Sequence, residues 1–225
     1  MSATVTPFRA VLATQWKWSR LAVLLAGVAA FAVPLVSVRR VGDPALGFPS
    51  ARELLLSMQL FGVWYPVLAT TIGLLLATIP WSADHAARHV YALSLPVPRW
   101  RYVLLRFGAG ALLALVPAVL LAIGALLASA GVTLPMGLHA QPLAIALRFA
   151  LATLVAYAAF FGIASGSTRS AGILLAGLLL LVLVDVSLAA SNTTERSLIG
   201  QIAETLIRWP GVFEIFTGRW MLIDV

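Results

Sequence analysis

Asp84, His85, Arg88 and His89 fall within six residues of one another, a density of titratable groups found nowhere else in this chain. His85 and His89 are spaced i,i+4, so on a helix they share one face, the spacing used by paired metal ligands. Only Asp84 is at hand as a third ligand, and Arg88 would repel a cation, so the cluster does not make a metal site. Downstream, Pro96 and Pro98 impose a sharp stop and restart, and Arg99 and Arg101 flank Trp100. This polar island, residues 81–102, suits recognition by a partner better than bond-breaking chemistry. The plainer reading is that Arg99, Trp100 and Arg101 only anchor an interface, as basic and aromatic residues do beside most membrane spans.

Two isolated charges, Arg148 and Asp185, sit inside apolar runs. Charges in such runs are costly and therefore informative. Each lies five or six residues from the same end of its run, roughly 8 Å deep at 1.5 Å per residue, so an intramembrane pair is one reading. The other has Arg148 reaching outward and Asp185 facing a wet cavity. Gly162 and Gly166 have the small-xxx-small spacing that lets helices approach closely, although a flexible span end would use them as readily. The same stretch, Gly162-Ile-Ala-Ser-Gly166, misses the G-x-S-G phrase of intramembrane serine proteases by one residue, and no histidine lies in the neighbouring runs. With no cysteine in the chain, disulfides, thiolate metal sites and cysteine nucleophiles are excluded.

The elements that must position these residues are apolar. The 225 residues are 61% hydrophobic and only 10% charged, with mean hydropathy +1.00, the composition of an integral membrane protein. Lysine plus arginine outnumber aspartate plus glutamate 15 to 8, but these charges punctuate greasy segments and form no contiguous patch, which argues against nucleic acid. Residues 7–20 mix Phe8, Trp16 and Trp18 with Arg9, Lys17 and Arg20 and predict an interfacial helix. Apolar runs at 21–38, 54–81, 103–130, 142–165 and 171–190 predict five spans, since about 20 apolar residues cross a bilayer. The 54–81 run exceeds the hydrocarbon thickness and must tilt, kink or project. In the tail 191–225, Leu198, Ile199, Ile202, Leu206 and Trp209 mark one face of an amphipathic helix, and Asn192 with Glu195 fits a capping box. The fold class expected is an all-α integral membrane protein, a single polytopic helical bundle over 1–225.

Counting basic residues near the span ends orients it. With the N-terminus inside, cytoplasmic segments hold Arg9, Lys17, Arg20, Arg88, Arg99, Arg101, Arg106 and Arg169; outer segments hold Arg39, Arg40, Arg52, Arg196, Arg208 and Arg219. Eight against six favours a cytoplasmic N-terminus, which puts the polar island in the cytoplasm and the tail outside. The setting expected is the plasma or inner membrane of a bacterium.

An interfacial N-terminal helix, a long second span, a charged cytoplasmic segment ending in Leu93-Ser-Leu-Pro-Val-Pro-Arg99 and then a third span together resemble the permease subunits of ABC-2-type ABC transporters. The resemblance implies six spans, assembly with a second permease copy or a homologous permease, and a separate ATP-binding cassette ATPase subunit holding ATP and Mg. That subunit would dock beneath the island, with Asp84, His85, Arg88, His89, Pro96, Pro98, Arg99 and Arg101 forming the coupling helix and its flanks. Asp84 stands where the family often has glutamate, and the chain stops where a sixth span would begin. No G-x-x-x-x-G-K-[ST] occurs and the one lysine is Lys17, so ATP hydrolysis, and with it enzymatic activity, is expected on the partner, and no cofactor is expected in this chain. The alternative class, suggested by the missing sixth span, is a non-transporting structural or assembly subunit of a membrane complex. Spans lined with Ala, Leu, Val and Gly do not specify the substrate.

Overall fold

A computed structural model describes residues 7–41, 51–86, 98–132, 134, 137–166, 177, 180, 184, 198–208, 211–217 and 219–224. The described elements, in chain order, are α1 (Pro7–Val41), α2 (Ala51–Gly62), α3 (Trp64–Ala86), α4 (Arg99–Ala130), β1 (His139–Ala140), α5 (Pro142–Ala164), α6 (Leu198–Ile207), a 3-10 turn (Val212–Phe216) and β2 (Ile223–Asp224). Four of them contain stretches long and apolar enough to cross a membrane: Pro7–Val38, Trp64–Ser82, Trp100–Ala130 and Pro142–Ala164. This supports the membrane, all-helical reading. The expected fifth span, 171–190, lies outside the described residues apart from Gly177, Leu180 and Val184, as do Asn192 and Glu195 of the capping box.

Three boundaries differ from expectation. The interfacial segment and the first span are one continuous 35-residue helix that carries Pro34 within it. The run at 54–81 is broken at Val63 into α2 and α3. Pro66 explains the break, because a proline cannot donate to the carbonyl four residues back and its ring crowds that carbonyl. Starting α3 at Trp64 places Pro66 in the first turn, where no intrahelical acceptor is needed. The island at 81–102 is not wholly separate from the spans either: residues 82–86 complete α3 and 99–102 open α4, while 87–97 lie outside the described residues.

The chain divides into two compact units, Met1–Phe161 with Arg219–Val225, and Gly162–Gly218. In the first, α1 and α4 run side by side in the same direction. Phe8, Gln15, Leu120 and Phe31 lie against Gly108, Gly110, Gly27 and Gly124 respectively. Gly124 permits the closest approach, since a Cβ there would overlap the backbone carbonyl of Phe31. Gly73 does the same for α3 on α5, where an added Cβ would lie 2.6 Å from the backbone nitrogen of Tyr157. Such backbone contacts let helices pack closely where lipid, as apolar as any side chain, gives no hydrophobic drive to associate. Leucine and valine side chains on the other faces, Leu21, Leu25, Val28, Leu104, Val119, Leu143 and Leu147 among them, are exposed, as suits helices solvated by acyl chains.

Polar side chains within these helices bond locally. Thr70 and Thr71 hydroxyls donate to the carbonyls of Pro66 and Val67, Thr78 to Leu74, Thr153 to Phe149 and Ser19 to Gln15. In a medium without water this satisfies each hydroxyl without a distant partner. In the second unit, α6 is a short helix with Ile202, Leu206 and Ile207 exposed.

Candidate functional site

The most constrained polar group among the described residues is Arg106, which is only 2% exposed. Its position follows from the start of α4. Pro98, extended at φ −64° and ψ 148°, cannot continue a helix from upstream, and its carbonyl accepts from Tyr102 N–H at 3.1 Å. The helix that begins there sets Tyr102, Arg106, Ala109 and Leu113 on one buried stripe, with i,i+4 and i,i+7 spacing. Arg106 lies seven residues past Arg99, about 10 Å along the axis.

Three helices converge on its guanidinium. One nitrogen, Nη1, donates to the Tyr102 hydroxyl at 2.8 Å, and Nη2 donates to the backbone carbonyl of Pro80 in α3. The guanidinium carbon stands 4.2 Å from the centroid of Trp81, also in α3, and 5.6 Å from Trp18 of α1. A planar cation with forked donors can bond and stack at once, which an ammonium cannot. The fourth helix closes the group from behind: the Tyr157 hydroxyl of α5 donates to the Phe107 carbonyl at 3.2 Å, and Phe107, Tyr157 and Phe161 pack ring against ring at 5.3 to 5.5 Å. Gly110 makes room for that hydroxyl, because a Cβ there would overlap it. Bonds and ring contacts from three helices at once hold this guanidinium in one position. It ties the last turns of α3 to the first turns of α4, the two helices that flank residues 87–97.

At the opposite end of the same unit, residues 219–224 fold back onto the α4–α5 connection. Strands β1 and β2 pair antiparallel with His139 opposite Asp224 and Ala140 opposite Ile223, and Gln141 N–H donates to the Leu222 carbonyl at 2.8 Å. Trp220 is buried, stacks on Tyr65 of α3 at 6.2 Å and receives the Arg148 guanidinium 4.4 Å above its ring; Arg148 Nη1 donates to the Arg219 carbonyl at 2.7 Å. Gly62, the last residue of α2, lets the Trp220 carbonyl approach.

The residues singled out in the sequence are placed as follows. Asp84 and His85 occupy the last turn of α3, and Arg88, His89 and Pro96 lie outside the described residues. Pro98 is exposed just before α4, Arg99 begins it, and Arg101 is exposed in its first turn. Arg148 has the partners just given, while Asp185 lies outside the described residues. Gly162 is in the last turn of α5 with nothing described within 4 Å of where a Cβ would stand, and Gly166 follows in a turn, its N–H donating to the Ile163 carbonyl at 3.2 Å. Two sites were missed. Arg106 figured in the sequence only as one of the basic residues near span ends; its signal was Tyr102 four residues earlier and a depth of two turns inside an apolar run. Nothing local to residues 219–224 announces that they clasp Gly62, Tyr65 and Arg148. Comparison with known proteins finds no match to this chain among family models, curated proteins or solved structures.

Proposed function

We propose that this chain is the membrane-spanning permease subunit of an ABC transporter of the ABC-2 type, moving its substrate with energy from ATP hydrolysed on a separate ATPase subunit. The ATPase docks on residues 82–102 on the cytoplasmic side, with ATP and Mg held there. A second permease copy completes the translocation path, and the chain crosses a bacterial inner membrane with its N-terminus inside and residues 171–190 as a further span.

The observation that supports this reading is the Arg106 junction. Guanidinium bonds to Pro80 and Tyr102, with stacking on Trp81, join the end of α3 to the start of α4. A partner that moves the segment between these helices therefore moves both together, and packed helices respond to such a push by rigid shifts of their axes. Without the junction the ends of α3 and α4 could move independently. No G-x-x-x-x-G-K-[ST] occurs in the sequence, and in this reading hydrolysis therefore falls to the partner.

The test is a double charge reversal in the docking segment. Asp84→Arg with Arg88→Asp preserves an i,i+4 opposite-charge pair along a helix but inverts what a docked ATPase meets. The expected result is normal membrane insertion with loss of the co-purifying ATPase or of its transport-stimulated activity. A fully active ATPase complex in the double reversal, or a wild-type protein that never co-purifies with an ATPase, would instead favour a non-transporting membrane subunit.

A further inference from the structure

An open groove of about 710 Å3 runs between α1 and α4, walled by Leu12, Ala13 and Trp16 on one side and by Leu113, Val116 and Leu120 among others on the other. Among its described lining residues the one charged group is Arg9, two turns before Trp16 on α1. Neither helix contains an acidic residue: α1 carries Arg9, Lys17 and Arg20 in its first fourteen residues, and α4 carries Arg99, Arg101 and Arg106 in its first eight. The apolar walls suit a hydrocarbon chain and offer a water-soluble ligand no hydrogen bonds. Arg9 and Trp16 stand near the N-terminal end of α1, and a tryptophan beside a basic residue is the usual marker of headgroup level.

We infer that this groove is a binding site for an anionic phospholipid, one acyl chain lying between α1 and α4 and the phosphate group meeting Arg9. Charge selects the occupant. A zwitterionic lipid can fill the apolar walls equally well, but it gains less from Arg9, which has no carboxylate on either helix to offset it. The site is independent of the transport reading, since it depends only on α1, α4 and the bilayer.

Native mass spectrometry of the detergent-purified full chain, supplied with equal amounts of phosphatidylglycerol and phosphatidylcholine, measures the preference directly. Wild type retains phosphatidylglycerol about five-fold over phosphatidylcholine, the attraction contributed by one basic residue near the headgroups. Arg9→Gln removes that preference, whereas Lys17→Gln, an equal loss of charge on the same helix outside the groove lining, keeps it. Val116→Trp, which fills the groove, lowers retention of both lipids. Equal retention of the two lipids by wild type, or equal effects of Arg9→Gln and Lys17→Gln, overturns the site. So does a Val116→Trp variant that breaks a dimer while keeping its phosphatidylglycerol, because the groove would then belong to a second copy of the chain.

Discussion

Replacing Arg106 by lysine keeps the positive charge and removes the planar fork, so it isolates what the geometry contributes. The desolvation cost of a buried cation stays roughly constant or rises, because an ammonium is the more strongly hydrated ion. What changes is the set of contacts. Lysine reaches one of the two acceptors, Tyr102 Oη or the Pro80 carbonyl, and gives up a charge-assisted hydrogen bond of about 1.5 kcal/mol at the low end of the usual range. The low end applies because side-chain hydrogen bonds in membrane proteins average well below those in soluble cores. It also loses most of the stacking on Trp81 at 4.2 Å, about 1 kcal/mol. The sum is about 2 to 3 kcal/mol, which for a chain of this size corresponds to a Tm lower by roughly 5–10 °C. Arg106→Met removes the charge together with its desolvation cost and therefore destabilises no more than lysine does. The assay is thermal unfolding in detergent followed by intrinsic tryptophan fluorescence, with Trp18 and Trp81 at the site as reporters. An Arg106→Lys protein melting within about 2 °C of wild type would refute the clamp and leave Arg106 as an ordinary interfacial cation.

Two other outcomes follow from the fold. Gly124→Ala forces a methyl group onto the Phe31 backbone carbonyl, and because helix backbones cannot step aside it destabilises by about 1–3 kcal/mol; Gly162→Ala, with open space around it among the described residues, is neutral or slightly stabilising, and equal melting of the two variants would contradict the α1–α4 contact. For topology, a cysteine at Ser191 in this cysteine-free chain is labelled by a membrane-impermeant thiol reagent in intact cells and one at Ala87 is not; the reverse pattern would move the polar island out of the cytoplasm.

What could be read from the sequence was the part written in local patterns. Apolar runs marked the helices, Pro98 marked the start of α4, Pro142 marked the start of α5 and the spacing from Leu198 onward marked α6. The break at Val63 was harder to place because Pro34, Pro80 and Pro117 all sit inside helices, where neighbouring groups can satisfy the freed carbonyls; composition alone does not tell Pro66 from these. Arg106 was hidden for a different reason. An arginine two turns inside a span reads equally as a cation reaching for the interface or as a clamp, and the choice depends on Pro80 and Trp81, which come from another helix. The clasp of Trp220 on Tyr65 and Arg148 joins residues 155 and 72 positions apart, beyond the reach of any periodicity. The segment between α3 and α4 shows the same boundary: its flanks are set by the two helices, and the partner proposed for it is not written in this chain.

If energy enters through the segment between α3 and α4, as proposed, cysteine-directed cross-linking captures the ATPase there. With no native cysteine, Ala92→Cys gives a single attachment point in that segment and Gly137→Cys gives one in the α4–α5 connection at the other end of the first unit. In native membranes a cysteine at position 92 is expected to cross-link to an ATP-binding protein and one at 137 is not. An ATP-binding protein captured at 137, or none captured at 92, would contradict the proposal.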